Sequence, residues 1–254
     1  MAIIVKTEEQ IEGIRRSCQL AADALNFAEK LLKDKGTEIS TGEIDHILDR
    51  YIRDAGGIPA PLNYLGFTKS ICVSINEVIC HGIPSDDCFL KDGDIVNVDI
   101  TTILNGYYGD TSRMFAVGET SEEARKLLGI TQDCLAIGIG CVRPDTCFGE
   151  IGKKITEYAT ARGYSVVNQF CGHGTGVRFH EEPQINHYHE PSDYDHRKME
   201  PGMIFTIEPM INIGLPKAVI DKDRWTARTC DGKLSAQYEH TILVTEFGAE
   251  VLTK

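Results

Sequence analysis

A repeated tripeptide at matching helical positions sets the architecture: Gly42-Glu43-Ile44 returns as Gly149-Glu150-Ile151. With these aligned, Tyr51 falls on Tyr158 and Gly56 on Gly163. Both copies lie in amphipathic helical stretches that follow another such stretch. Thr7-Glu8-Glu9-Gln10 is a capping box, followed by Ile11, Ile14, Cys18, Ala21, Ala22 and Leu25 at helical spacing. This predicts a helix to about Lys33, closed by Gly36. Ser40 to Glu43 caps the second, whose stripe is Ile44, Ile47, Leu48, Tyr51 and Ile52, with Gly56-Gly57 as the stop. Thr120 to Glu123 caps the third, and after a turn at Arg143-Pro144-Asp145 the fourth carries Ile151, Ile155 and Tyr158 and ends near Gly163. Two amphipathic helices can match by chance, but β-rich runs also follow each pair. These are Ile71–Ser74, Ile95–Thr102 and Tyr107–Val117, then Tyr164–Val167, Ile204–Ile207 and Ser235–Val244. The expectation is an α+β chain with pseudo-two-fold internal symmetry, helices on one side and a curved antiparallel sheet on the other. It forms one domain over 1–254, with halves of roughly 1–118 and 119–254.

Composition narrows the class of function. The 26 Lys and Arg against 38 Asp and Glu leave a formal charge of −12, the wrong sign for a nucleic-acid surface. Such acidity is either a soluble surface or, in part, carboxylates gathered around a cation. The nine cysteines contain no CxxC pair, and most sit among apolar neighbours, as reduced thiols of a cytoplasmic protein do. The opening Met-Ala-Ile-Ile-Val-Lys is too short in apolar residues for a signal peptide, and no run approaches a membrane span.

The carboxylates fall at particular places. Asn105-Gly106 separates two β-rich runs and predicts a hairpin. Centring the turn there puts Asp110 opposite Thr101, and Asp99 on the same face as Thr101. Asp99 and Asp110 are then diagonal neighbours that repel unless the face is solvated or a cation lies between them. The flanking Val96, Val98, Ile100, Met114 and Phe115 argue for burial. Glu208 ends an apolar strand before Pro209, and Glu239 sits inside another β-rich run; exposed strand glutamates would look the same. His173 stands between glycines in Cys171-Gly172-His173-Gly174-Thr175-Gly176, where backbone can approach a ligand closely. Taken together, Asp99, Asp110, His173, Glu208 and Glu239 suit two divalent cations roughly 3.5–4 Å apart. A single imidazole among carboxylates favours Mn, Fe, Co or Zn over Ca or Mg.

Longer motifs run through these positions: Ser74 to Pro84, Gly109 to Phe115, Gly172 to Gly176, Thr206 to Met210 and Ser235 to Thr241. In them the chain closely resembles type I methionine aminopeptidases of the bacterial kind, over essentially its whole length. The resemblance implies the pita-bread fold and removal of the N-terminal Met from nascent polypeptides when the second residue is small. It implies that Asp110 and Glu239 bridge two metals, Asp99 binds one, and His173 and Glu208 bind the other. A bridging water or hydroxide is then the nucleophile, Glu208 handles its proton, and one metal receives the free α-amine. His81 corresponds to the histidine that contacts the scissile nitrogen, and His180 to the one that stabilises the developing oxyanion. Tyr64, Phe67, Cys72, Phe179 and Trp225 correspond to the methionine pocket. Asn76, Val78 and Ser235 match positions that hold a monovalent cation, Na or K. The family's role makes transient ribosome association plausible, and its members are mostly monomers.

Some features depart from the family or bear on rivals. Thr68 stands where relatives often have Pro, Tyr107-Tyr108 varies beside Asp110, and the segment from Asn186 to Glu200 reads as a variable loop. A proline-specific aminopeptidase of the same fold usually carries a further N-terminal domain, for which a first helix near Thr7 leaves no room. A non-catalytic pita-bread binding protein would have lost metal ligands, whereas all five are present. The chain's own Met1-Ala2 fits the expected substrate.

Overall fold

Thr7 caps the first helix of the computed structural model, which describes residues 2–254; Met1, and with it the expected cleavage, lies outside them. Helix α1 (Glu8–Lys35) has both hydrogen bonds of the capping box and ends at Gly36. Helix α2 (Thr41–Asp54) starts at Ser40, whose side chain accepts from Glu43 N. Within the Thr120–Glu123 cap it is Ser121 that accepts, from Ala124 N, opening α3 (Glu122–Gly140). Helix α4 is Gly149–Thr160.

The repeated glycines do the same work in both places. A side chain on Gly42 would strike the backbone of Ser85 and Asp86, and one on Gly149 would strike Tyr194 and Asp195. Each helix therefore starts pressed against a loop. Gly56 and Gly163, which follow α2 and α4, both have φ +82°, a conformation that costs glycine little.

All strand pairs are antiparallel, as expected, but hydrogen bonding divides the sheet into four pieces. The long hairpin of Ile95–Leu104 and Tyr107–Ala116 turns at Asn105-Gly106, both at positive φ, and pairs Thr101 with Asp110 as the spacing predicts. Cys72–Ile75 lies on its other edge, placing Cys72 opposite Asp99. Helices α1 and α2 cover this sheet with a core that includes Leu25, Ile44, Leu48, Ile52, Ile71 and Val98. A second core, with Phe148, Ile151, Ile155, Phe205 and Ile207, lies beneath α3 and α4.

The run expected as one strand over Ser235–Val244 is two, Ser235–Gln237 and His240–Thr245, interrupted at Tyr238-Glu239. Ser235–Gln237 pairs with Met210–Asn212, whereas His240–Thr245 pairs with Ile204–Ile207 in another sheet. That neighbouring run breaks at Glu208-Pro209, because Pro209 has no N–H to continue a ladder. Both glutamates therefore sit where a pair of adjacent strands changes sheets.

Sequence reading did not place the short strands Ile58–Pro59, Val78–Cys80, Gly172–Gly174, Glu181–Ile185, Ala218–Ile220, Ala227–Thr229 and Gly248–Val251. Among the described residues no helix is long and apolar enough to cross a membrane.

Candidate metal centre

The hairpin and the interrupted strands are stitched together at the carboxylates themselves. Glu239 N donates to Ser112 O (3.1 Å), Thr111 Oγ1 to Glu239 O (2.8 Å), and Thr241 Oγ1 to Asp110 O (2.7 Å). Asp110 and Glu239 come from distant parts of the chain but are fixed to one another through backbone atoms. They share a cavity of about 510 Å³ with Asp99, His173, Glu208, His81 and His180.

Each carboxylate is constrained. Asp110 Oδ1 accepts from Thr101 Oγ1 (2.7 Å). Glu208 accepts from Thr206 Oγ1 (2.7 Å) on one oxygen and Gln237 Nε2 (3.1 Å) on the other. The backbone N–H of Glu208, freed where the strand breaks, donates to His187 Nε2 (3.0 Å). The segment from Asn186 to Glu200 thus contributes to the site: its His187 is buried and holds the backbone of a site residue. Sequence reading missed His187, Thr206 and Gln237 as supports. The signal for Thr206 was its place two residues before Glu208, on the same strand face.

Burial sets the electrostatics. It raises Asp110 to about 7, against the opposing hydrogen bonds of Thr101 and Thr111. It pushes Asp99 well above the ordinary carboxylate range, and the charge of Asp110 adds to this. Glu208 and Glu239 rise for the same first reason, with the neighbouring carboxylates adding repulsion. Among the described residues no lysine or arginine forms an ion pair with any of the four.

His173 reveals what is missing from this balance. Burial lowers it to about 4, so at neutral pH its imidazole carries one proton. Nδ1 lies 3.0 Å from Gly174 O, an acceptor, so the proton belongs there. The lone pair of Nε2 then faces Asp110 Oδ2 at 3.6 Å and Glu208 Oε1 at 3.7 Å, both beyond hydrogen-bond distance. One donor atom from each of Asp110, His173 and Glu239 lies within 4.8 Å of the others. Donor atoms that converge without bonding one another are what a divalent cation requires, and the backbone bond to Nδ1 fixes the ligating tautomer. The residues fit a metal, and the mixed carboxylate and imidazole set suits Mn, Fe, Co or Zn.

The rest of the cavity is aromatic. Phe67 and Trp225 meet edge to face at 5.1 Å, and Tyr64 and Phe179 pack at 4.7 Å. His81, at φ +55°, presents its ring between Phe170 and Trp225. His180 Nδ1 is 2.9 Å from Tyr64 Oη, and its ring centroid is 4.2 Å from that of His173. Cys72 lines the same cavity; Leu65, Phe170, Cys171 and Met210, which sequence reading did not single out, line it too. Asn76, Val78 and Ser235 lie away from it, although Ser235 N donates to Asn76 O (3.0 Å).

A pita-bread fold with this cluster defines a metallohydrolase. The profile of metallopeptidase family M24 matches residues 12–246. Methionine aminopeptidases from Haemophilus influenzae and Escherichia coli are each 48% identical to this chain, covering all of it and 93% and 94% of their own lengths. The crystal structure of methionine aminopeptidase from Rickettsia prowazekii superposes with a TM-score of 0.95 at 44% identity, covering all of both chains. A prolidase from Pyrococcus furiosus shares the fold more distantly, with a TM-score of 0.76 at 26% identity over 65% of its length. The chain belongs to metallopeptidase family M24, and within it to the methionine aminopeptidases.

Proposed function

We propose that this chain is a dinuclear aminopeptidase that removes the first methionine of nascent polypeptides whose second residue is small. The observation that carries the reading is one cavity holding five metal-type side chains beside an aromatic slot. Asp110 and Glu239 would hold both cations, Asp99 one of them, and His173 and Glu208 the other. Bound divalent cations supply Lewis acidity, lowering the pKa of water to about 7 and countering negative charge at the reacting carbonyl.

The chain's own residues orient the substrate and move the proton. Thr206 and Gln237 fix both oxygens of Glu208, so its carboxylate is positioned to take a proton from the attacking water and return it to the leaving nitrogen. His81 would contact that nitrogen. Burial holds His180 neutral, lowered to about 3. Nδ1 lies 2.9 Å from the Tyr64 hydroxyl; in the tautomer where that hydroxyl donates to it, the single ring proton sits on Nε2, where it can donate to the substrate carbonyl and the oxyanion that follows. Tyr64, Phe67, Cys72, Phe179 and Trp225 would enclose the methionine side chain, whose flexible, polarisable thioether suits aromatic walls. A peptide that fills this slot leaves little room for a large second residue.

The weaker site at Asn76, Val78 and Ser235 would take Na or K. Ser235 Oγ is buried with no partner among the described residues, which supports that reading. We place the enzyme in the cytoplasm as a monomer that meets its substrates at the ribosome, without direct nucleic-acid or membrane contact. The deciding assay is methionine release from Met-Ala-Ser and Met-Leu-Ser, with chelator and then with added Mn or Co. Fast release from the first alone, abolished by chelator, is expected. Equal rates on both, or indifference to chelator, would reject the proposal.

A further inference from the structure

Lys6 and Glu181 form an ion pair whose side chains are 1% and 2% exposed. By contrast, Lys69, Arg113 and Arg228 keep 23%, 29% and 40% of their side chains exposed in their pairs with Asp45, Glu29 and Glu77. Burying two charges is expensive, and a buried pair is weak evidence for stability as such. What this pair joins is therefore more informative than what it stabilises.

The cation end is anchored beside Glu208. Lys6 N donates to Gly202 O (2.9 Å) and Val5 bridges Met203, directly ahead of the strand Ile204–Ile207 that ends at Glu208. The anion end closes the turn that carries His180. Glu181 Oε1 accepts from Val177 N (2.8 Å) and Arg178 N (2.7 Å), while Oε2 takes the Lys6 ammonium. Phe179 and His180 stand between these contacts. The start of the turn also joins that strand, through Thr175 N to Ile204 O (3.3 Å) and the Gly174–Phe205 pairing. Tyr108 N to Gly176 O (2.9 Å) and Thr175 Oγ1 to Phe179 O (3.0 Å) hold its other side without reaching the strand. Beyond Gly176 it is the Lys6–Glu181 pair that ties the turn back to the Glu208 strand.

We infer that Lys6 and Glu181 are positioning residues: their pair sets the His180 turn against the Glu208 strand, and so fixes the carbonyl donor relative to the proton-handling carboxylate. This rests on the roles proposed above for His180 and Glu208. Glu181 lines the cavity, but its carboxylate is buried and spent on Val177, Arg178 and Lys6, and Lys6 does not line it; both act through the turn. A displacement of about 1 Å at a reacting group can cost about a hundredfold in rate.

The test uses the full-length, Mn-loaded enzyme with Met-Ala-Ser. The double variant K6M/E181Q removes both charges together, leaving no unpaired ion, and keeps an acceptor for Val177 and Arg178. Expected is a Tm close to wild type, a KM within about twofold and a kcat at least about tenfold lower, because geometry is lost while packing is kept. Wild-type kcat at unchanged Tm would overturn the inference, because a merely structural pair predicts that result. Should the double variant not fold, E181D decides: it keeps the charge and withdraws it by one methylene. A reduced kcat at constant KM supports positioning, and an unchanged kcat overturns it. Wild type measured in parallel separates the two failures, since no methionine release from it defeats the proposed function instead.

Discussion

Gln237 donates through Nε2 to Oε2 of Glu208 at 3.1 Å, while its own Oε1 is buried with no partner among the described residues. This makes Glu208→Gln an unusually clean substitution. A glutamine at 208 can keep accepting from Thr206 with its oxygen. Its new NH2 faces Gln237, whose amide turns over to present the idle oxygen. The number of unpaired groups is unchanged and one buried charge disappears. The chelated variant should melt no lower than chelated wild type, while kcat falls at least about a hundredfold, the scale of a lost acid–base group. Substantial retained turnover on Met-Ala-Ser would remove Glu208 from proton transfer.

Metal removal should be visible in stability as well as in rate. Among the described residues the four carboxylates form no lysine or arginine ion pair, so cation binding favours the folded state by mass action. At a cation concentration a hundred times Kd that gain is about 2.7 kcal/mol. Melting curves with chelator and with stepped Mn should show a Tm that climbs with metal concentration. A Tm indifferent to Mn would mean that the cluster does not bind it.

The pH dependence of the chelated protein follows from two opposed sets of groups. Burial lowers His81, His173 and His240 to about 4 and His180 and His187 to about 3. The unfolded chain then binds more protons than the folded one up to about pH 7.5, a unit above the free histidine value, so these groups add stability as pH rises to there. Burial raises Asp110 to about 7 and lifts Asp99, Glu208 and Glu239 well above their usual range. These acids bind more protons folded than unfolded, so they lose stability as pH rises through their folded values. Above about pH 7.5 the histidines are almost wholly neutral in both states and the acids dominate. The chelated protein should therefore melt lower at pH 8.5 than at pH 7.5, and added Mn should shrink the difference. A chelated Tm that rises over this interval would contradict the burial of these carboxylates.

The sequence made some of this legible, and the reasons are local. The Asn105-Gly106 turn dictates its own register, so the Thr101–Asp110 pairing could be counted out residue by residue. Helix starts were legible for the same reason, since a cap and its partner lie within one turn. Where a strand changes sheets depends on distant segments, so the break at Tyr238-Glu239 was read as continuous strand. His187 was hidden because its partner is a backbone N–H exposed only by that kind of break, 21 positions away in the chain. The Lys6–Glu181 pair spans 175 positions, and neither residue type nor spacing hints at it.

The proposed methionine slot offers a test of specificity. Phe67 is buried against the edge of Trp225, and His81 packs on the same indole at 5.9 Å. Trp225→Ala should empty one wall and loosen His81 with it. We expect kcat/KM for Met-Ala-Ser to fall by at least about tenfold, roughly the discrimination a small change in an apolar pocket brings. Mn affinity should stay unchanged, because the ring contacts of Trp225 are with Phe67 and His81, neither of them a proposed ligand. A drop confined to Mn affinity would place the indole elsewhere in the mechanism.

Gly109 precedes Asp110 and carries the backbone of α1 directly on its surface. A Cβ there would strike Ser17 and Cys18 main-chain atoms, and backbone cannot rotate aside as a side chain can. Gly109→Ala should therefore lever α1 from the hairpin and shift Asp110 with it. Overpacking of this kind costs about 1–3 kcal/mol, which for a chain of this size lowers Tm by about 2–12 °C. Gly129→Ala, in α3, is the contrast: nothing lies within 4 Å of its new methyl, and a helix interior gains up to about 1 kcal/mol from alanine. Parallel melts should move the two variants in opposite directions, and only Gly109→Ala should need more Mn for half-maximal activity. Equal melting of both would show that the α1–hairpin contact yields, and that the placement of Asp110 does not depend on it.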